Sequence, residues 1–260
     1  MSVQFDCLSA LKTELNIFVL SVNKFIKWQM VYDGTPSAMM TTTVSSGTYN
    51  VAEFITEIET KMNASLNFAV PGAVETIWLA YSDYTFMISW TYVTNEIEKY
   101  NLKYTDTDST LGDIIGLTAD QEGEEVISDS KAQPKFLFID YLTAKNIEKI
   151  GNRFPAILIE DVSEEWKEGG SKRFEVYHTV RVFLYENINQ SRIETLLTDQ
   201  TIITGLINAN VTLSGNADCV QITSIEKGES YYGKINFQAA GYNDNISIRI
   251  INLLIREQIT

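Results

Sequence analysis

The stretch that decides the fold is Phe174 to Tyr185, which reads Phe-Glu-Val-Tyr-His-Thr-Val-Arg-Val-Phe-Leu-Tyr. Phe174, Val176, His178, Val180, Val182 and Leu184 fall on one side of an extended chain. Glu175, Tyr177, Thr179, Arg181, Phe183 and Tyr185 fall on the other. A period of two, filled with β-branched and aromatic residues, predicts a long strand, because successive side chains of a strand point to opposite faces. Upstream, Phe154-Pro155-Ala156-Ile157-Leu158-Ile159-Glu160 reads as an apolar strand entered through a proline, and Glu164 to Ser171 as a charged loop. Lys135 to Ile139 is a strand candidate, and Thr143 to Ile150 a short helix with Gly151 as its C-cap. Downstream, Gln190 to Leu206 reads as a helix with Ser191 as its cap and Ile193, Leu196, Leu197 and Ile203 inward. Cys219 to Glu226 and Gly233 to Tyr242 read as strands. The apolar segment Ile246 to Gln258 is left open between strand and helix.

The first half of the chain has a different texture. Phe5, Leu8, Leu11 and Leu15 recur at a helical period, and Ile17 to Leu20 is a short apolar run. Phe25 to Tyr32 alternates loosely and ends at the turn signal Asp33-Gly34. A polar β-branched run, Thr41 to Val44, enters a turn at Ser46-Gly47. Tyr49-Asn50 then opens an amphipathic helix, Val51 to Met62, with Val51, Phe54, Ile55, Ile58 and Met62 on one face. Thr76 to Tyr81 and Thr85 to Tyr92 predict strands around Ser82-Asp83. The segment closes on Thr110-Leu111-Gly112-Asp113-Ile114-Ile115-Gly116-Leu117. The overall pattern is α+β: an N-terminal mostly-β module with one helix, and a C-terminal antiparallel sheet with helices packed on one face. The acidic stretch Ala119 to Gln133, followed by Pro134, reads as an exposed connection between two domains, 1–125 and 134–260. Residues 1–20 are left open between belonging to the first domain and to the second.

Composition narrows the function. Of 260 residues, 45% are hydrophobic, and no apolar run approaches the ~18–20 residues of a membrane span. Met1 to Asp6 has no basic region, so no cleaved secretion signal is expected. The net charge of −14 is uneven: residues 1–125 hold 6 Lys and Arg against 17 Asp and Glu, the remainder 14 against 17. Nucleic-acid affinity needs clustered cations, so neither specific DNA binding nor attachment to an anionic membrane is expected. Cys7 and Cys219 lack the spacing of a metal or redox motif, and two thiols without a disulfide are expected.

Residues 24–118 resemble a virion module found in structural proteins of large phages and other viruses. The likeness rests on the polar strand, the Gly47-Thr48-Tyr49 entry to the helix, the aromatic strand and the Leu111 to Leu117 closure. That resemblance implies an attachment or decoration platform. Residues 135–250 resemble the tail terminator and tail completion proteins of tailed phages. Here the likeness lies in Phe154 to Glu160, the acidic Glu164-Glu165-Trp166 loop, the Arg181 to Tyr185 strand, the helix near Ser191 and the closing strand pair. This resemblance implies a homo-oligomeric ring, six copies favoured, that caps the tail tube and joins it to the head, with no catalytic residues. Members of that family open with their own N-terminal helix. Phe5 to Leu15 is a candidate for it, with the acidic module inserted after it.

Several motifs mimic chemistry. Tyr104-Thr105-Asp106-Thr107-Asp108-Ser109 copies the paired aspartates of metal-dependent phosphoryl transfer, yet its flanks are too polar for the buried strand such sites require. A turn is preferred there. His178 is the only histidine and reads as a half-buried structural imidazole. Asp161, Glu164, Glu165 and Glu168 around Trp166 lack the alternate oxygen ligands of a calcium loop, and Gly169-Gly170-Ser171-Lys172 lacks the upstream glycine of a phosphate loop. No catalytic residue, metal or cofactor is therefore expected.

The expectation is a non-enzymatic virion protein of a tailed phage, assembled in the host cytoplasm and standing at the neck or tail end. Trp166, Tyr177, Arg181, Phe183 and Tyr185 would form the contact between copies, since aromatics and Arg concentrate in interfaces. The acidic module would dock another tail, neck or capsid protein. The alternatives are a capsid-decorating or minor capsid protein and, remotely, a metal-dependent phosphotransfer enzyme using Asp106 and Asp108.

Overall fold

A computed structural model describes residues 3–32, 34–69, 76–82, 84–90, 97–106, 109–150, 153–169, 173–187, 193–215, 217–227 and 246–259. The protein is α+β and forms two compact units. One, Ile17–Lys135, is continuous; the other joins Met1–Asn16 to Phe136–Thr260. The first helix, α1 (Val3–Glu14), therefore belongs with the C-terminal half of the chain. The ends of the continuous unit meet, since the Lys135 amide donates to the Ile17 carbonyl at 2.7 Å. A unit whose ends are adjacent interrupts a host chain at little geometric cost.

In the continuous unit, β1 (Ile17–Leu20) pairs antiparallel with β5 (Gly47–Asn50). A larger sheet is built on β2 (Lys24–Tyr32), which pairs with β3 (Thr35–Pro36), β4 (Met40–Val44) and β8 (Ile97–Lys103). Helix α2 (Val51–Ala69) follows β5 through a reciprocal cap: Glu53 N–H donates to Asn50 Oδ1, and Asn50 N–H to Glu53 Oε2, both at 2.9 Å. Gly47 lies under the Tyr49 ring, where an added Cβ would come within 3.2 Å. The tyrosine thus covers the turn into the helix and packs on Phe54. Phe54, Ile58, Met62 and Leu66, spaced by four, bury one stripe of α2 among Phe18, Trp28, Phe86 and Tyr100. β6 (Ile77–Ser82) and β7 (Thr85–Trp90) form a hairpin on the same core.

The stretch expected to be an exposed joint is part of this unit. Its residues form β9 (Gln121–Gly123), paired with β8, and β10 (Val126–Ile127), paired with β7. Ser128 donates to the Ile115 carbonyl, and Val126 and Ala132 are buried. Sparse apolar anchors suffice because the backbone supplies the attachment. The short helix α3 (Gly112–Ile115) ends at Gly116, whose φ of 85° and contact with the Ser130 carbonyl leave no room for a side chain.

The discontinuous unit holds a five-stranded sheet in the order β11-β12-β13-β15-β14, where β11 is Phe138–Tyr141, β12 Ala156–Gly169, β13 Arg173–Asn187, β14 Cys219–Lys227 and β15 Ile246–Ile259. β11 and β12 are parallel across helix α4 (Ala144–Ile150), and the other pairs are antiparallel. Helix α5 (Ile193–Ala209) links β13 to β14. The segment left open at Ile246 is thus a strand, paired with β13 from Ile246 to Ile259. The expected charged loop from Glu164 is also strand as far as Gly169, in register with β13. A strand solvated on both faces carries polar residues throughout, so it shows no apolar alternation. The strand expected at Gly233 to Tyr242 and the caps expected at Gly151 and Ser191 lie outside the described residues.

Helices cover both faces of this sheet rather than one. Phe183 and Tyr185, with Ala156, Leu158, Ile248 and Ile250, pack against Ile147 and Ile150 of α4. On the opposite face, Cys7 of α1 lies against His178 and Glu257. The unbroken buried run Ala156-Ile157-Leu158-Ile159 is the reason: a strand apolar on both sides needs cover on both.

Candidate functional site

Two features of the discontinuous unit carry functional interest: the edges that its sheet presents among the described residues and a buried polar cluster beneath α1. β12 and β13 are 14 and 15 residues long, and only Ala156 to Ile159 of β12 is paired with β11. From Asp161 onward β12 is an edge strand among the described residues, roughly 26 Å long at ~3.3 Å per residue, with its side chains largely exposed. Asp161, Glu164, Glu165, Lys167 and Glu168 line it, and the register shifts between Asp161 and Ser163. Charges and a bulge are the usual devices that stop an edge from pairing indiscriminately. On the far side of the sheet β14 is the other edge among the described residues. It has its own register shift between Ile222 and Ser224 and an exposed end, Thr223 to Lys227.

The five residues expected at an interface between copies divide into three environments. Trp166 is 57% exposed and stands near the tip of the hairpin, edge-to-face with the exposed Phe174, ring centroids 6.3 Å apart; its indole N–H donates to Glu164. Trp166 pairs with Val176 and so shares the face of Val176 and His178. Tyr177 lies on the other face, half-buried. Its hydroxyl donates to Glu175 at 2.6 Å, a bond that, with burial, raises the phenol pKa; Lys167 sits 4.5 Å from its ring centre. Arg181 is held within its own sheet, its guanidinium 3.4 Å from Glu160 Oε2 and donating to Asn252 Oδ1 at 3.3 Å. Asn252 in turn donates to Ser224 and Glu226, so a polar ladder crosses β12, β13, β15 and β14.

Phe183 and Tyr185 are corrections. Both are fully buried under α4, stacked with centroids 6.2 Å apart, and belong to the core. Alternation places them on the same face as Tyr177 and Arg181. It does not reveal that α4 covers one half of that face and leaves the other half wet.

The cluster beneath α1 went unseen in the sequence. Cys7, His178 and Glu257 are 0%, 1% and 5% exposed, and one potential ligand atom from each lies within 4.8 Å of the others. β13 and β15 bring the histidine and the glutamate together: Glu257 is opposite Val176, one pleat from His178 on the same face. His178 Nε2 stands 3.5 Å from Glu257 Oε2. Among the described residues neither ring nitrogen of His178 has a hydrogen-bond partner. Burial, aided by the Glu257 carboxylate, pushes the Cys7 thiol well above its ordinary range. That opposes nucleophilic chemistry, which needs an accessible thiolate. The residues are 171 and 79 positions apart, so no local motif announces them. Cys7 and Cys219 are not joined by a disulfide.

Elsewhere, Asp106 is paired with Lys27 at 3.1 Å, beside the Leu111 amide bond to the Phe25 carbonyl that anchors the closing segment. Asp108 lies outside the described residues. No helix among the described residues is long and apolar enough to cross a membrane. No protein-family model matches the chain, and no curated protein matches its sequence.

Proposed function

We propose that this chain is a structural protein of a tailed-phage virion whose discontinuous unit assembles side by side into a ring at the tail end or neck, while the acidic continuous unit docks a neighbouring virion protein. The observation that carries the reading is the pair of unlike edges that one sheet presents among the described residues, the outer half of β12 on one side and β14 on the other. Joining one edge to the other on the next copy is a head-to-tail contact, and such contacts close into rings when the rotation per copy divides the circle. The exposed Trp166 and Phe174 beside the β12 edge supply the aromatic anchors that such interfaces use. The acidic unit keeps 7 Lys and Arg against 16 Asp and Glu between Ile17 and Lys135, which suits a protein partner and not a phosphate backbone.

Mass photometry of the purified full-length chain tests the proposal. The expected result is one closed species of fixed copy number, six favoured, whose mass does not grow with concentration. A monomer at every concentration overturns it. A monomer or trimer that binds empty capsids transfers the assignment to shell decoration.

A further inference from the structure

We propose that Cys7, His178 and Glu257 form a binding site for one thiophilic divalent metal ion of the zinc class, which clamps α1 onto β13 and β15. The donor set is the first argument. A thiolate, an imidazole and a carboxylate together select zinc-like ions over magnesium or calcium, which take oxygen ligands. Geometry is the second. Ligand nitrogen and oxygen atoms at ~2.0–2.1 Å from a tetrahedral ion stand about 3.4 Å apart, and nitrogen or oxygen to sulfur about 3.6 Å. His178 Nε2 and Glu257 Oε2 are 3.5 Å apart already. All three ligand atoms lie within 4.8 Å of one another, so the sulfur needs to close by little more than ~1 Å, a side-chain adjustment.

The third argument is the cost of the cluster without an ion. Polar side chains almost completely removed from water are normally hydrogen-bonded, yet His178 has neither ring nitrogen so satisfied among the described residues. Its contact with Glu257 is longer than a charge-assisted hydrogen bond. A divalent ion changes the balance. Cys7 gives up its thiol proton to solvent and binds as thiolate, His178 binds as neutral imidazole and Glu257 as carboxylate. Two negative ligands and one divalent cation sum to zero, so the buried site carries no net charge. Three protein ligands leave the fourth coordination position to a solvent molecule. The site ties the helix before the continuous unit to two strands after it, closing a loop of more than a hundred residues, where a cross-link constrains the unfolded chain strongly.

Cobalt(II) is the probe. The full-length chain, stripped by chelator and kept reduced, is titrated with Co²⁺ and then with Zn²⁺. The expected spectrum has a sulfur-to-cobalt charge-transfer band and intense tetrahedral ligand-field bands, saturating at one ion per chain and bleached by Zn²⁺. Wild-type chain without the charge-transfer band overturns the proposal, whatever the variants do. Cys7→Ser is expected to abolish that band and Cys219→Ser to leave it; the reverse pattern overturns it too. Glu257→Gln is expected to weaken zinc by more than the ~10–100-fold typical of losing a mere outer-shell partner. Unchanged zinc affinity in Glu257→Gln removes that residue from the site and with it the three-ligand proposal. Because metal binding and copy number are read separately, Cys7→Ser failing to bind metal while still forming rings separates this site from the assembly reading.

Discussion

Replacing Phe183 and Trp166 by alanine, one at a time, separates core from interface on the same strand pair. Phe183 is fully buried, stacked on Tyr185 and packed among Ile147, Ile150, Leu158 and Ile250. Phe→Ala at such a site costs about 3–5 kcal/mol through lost transfer energy and the cavity left behind. With an m-value of roughly 2 kcal/mol per molar urea, the transition of this unit falls by about 1.5–2.5 M. Trp166 is 57% exposed and touches mainly Phe174 and Glu164, so its removal should cost the isolated chain less than about 0.5 kcal/mol, a shift under ~0.3 M. If Trp166 anchors the contact between copies, the same substitution removes about 2 kcal/mol or more from every interface, a 30-fold weakening or greater. Urea denaturation of dilute chain, followed by tryptophan-independent far-UV circular dichroism, reads the first quantity. Mass photometry reads the second. The reasoning is refuted if Trp166→Ala lowers the urea midpoint as far as Phe183→Ala does, or if it leaves the assembly mass and its concentration dependence unchanged.

Three further variants check the local physics of the continuous unit and of α5. Gly116→Ala forces a side chain into positive φ and into the Ser130 carbonyl, and should destabilise by more than about 2 kcal/mol. Gly205→Ala, in α5 with nothing within 4 Å, should instead stabilise by about 0.5–1 kcal/mol, and equal urea shifts of one sign for the two variants would contradict this account. Asp120 accepts hydrogen bonds from the Thr105 amide first, then from the Thr105 hydroxyl, Lys103 and the Tyr104 amide, which holds its pKa down to about 2 from an ordinary 3.8. A depressed carboxylate stabilises the fold above its unfolded pKa and loses that contribution as pH falls through the folded value. Wild-type protein should therefore lose more stability than Asp120→Asn between about pH 4 and about pH 2, by a small amount because the group is exposed. Parallel acid limbs in urea midpoints measured against pH would show that the carboxylate contributes nothing.

Local pattern was readable wherever burial follows a simple period. The alternation of Phe174 to Tyr185 predicts β13, and the four-residue spacing of Phe54, Ile58 and Met62 predicts α2; both are present. The turn at Ser46-Gly47, between β4 and β5, was equally legible, and Gly116 of the closing segment stands where the backbone approaches too closely for a Cβ. Legibility failed where polar sequence is held by pairing rather than by burial. Ala119 to Gln133 has the composition of a loop and Glu164 to Gly169 that of a charged turn, yet backbone hydrogen bonds to β7, β8 and β13 order both. It failed again at Phe183 and Tyr185, whose face was right and whose exposure was wrong.

What the amino-acid order determined by itself is the periodicity of β13 and α2, the turn ahead of α2, and the excess of negative charge in the first half of the chain. These depend on neighbours within a few positions, where covalent geometry fixes who can meet. Only the tertiary structure decided that α1 belongs with strands more than a hundred residues away, that the sheet has unlike edges on its two sides, and that Cys7, His178 and Glu257 share one buried pocket of polar atoms. Long-range proximity is set by strand order and register, and no side chain at position 7 carries a mark of the residue it will face at position 257.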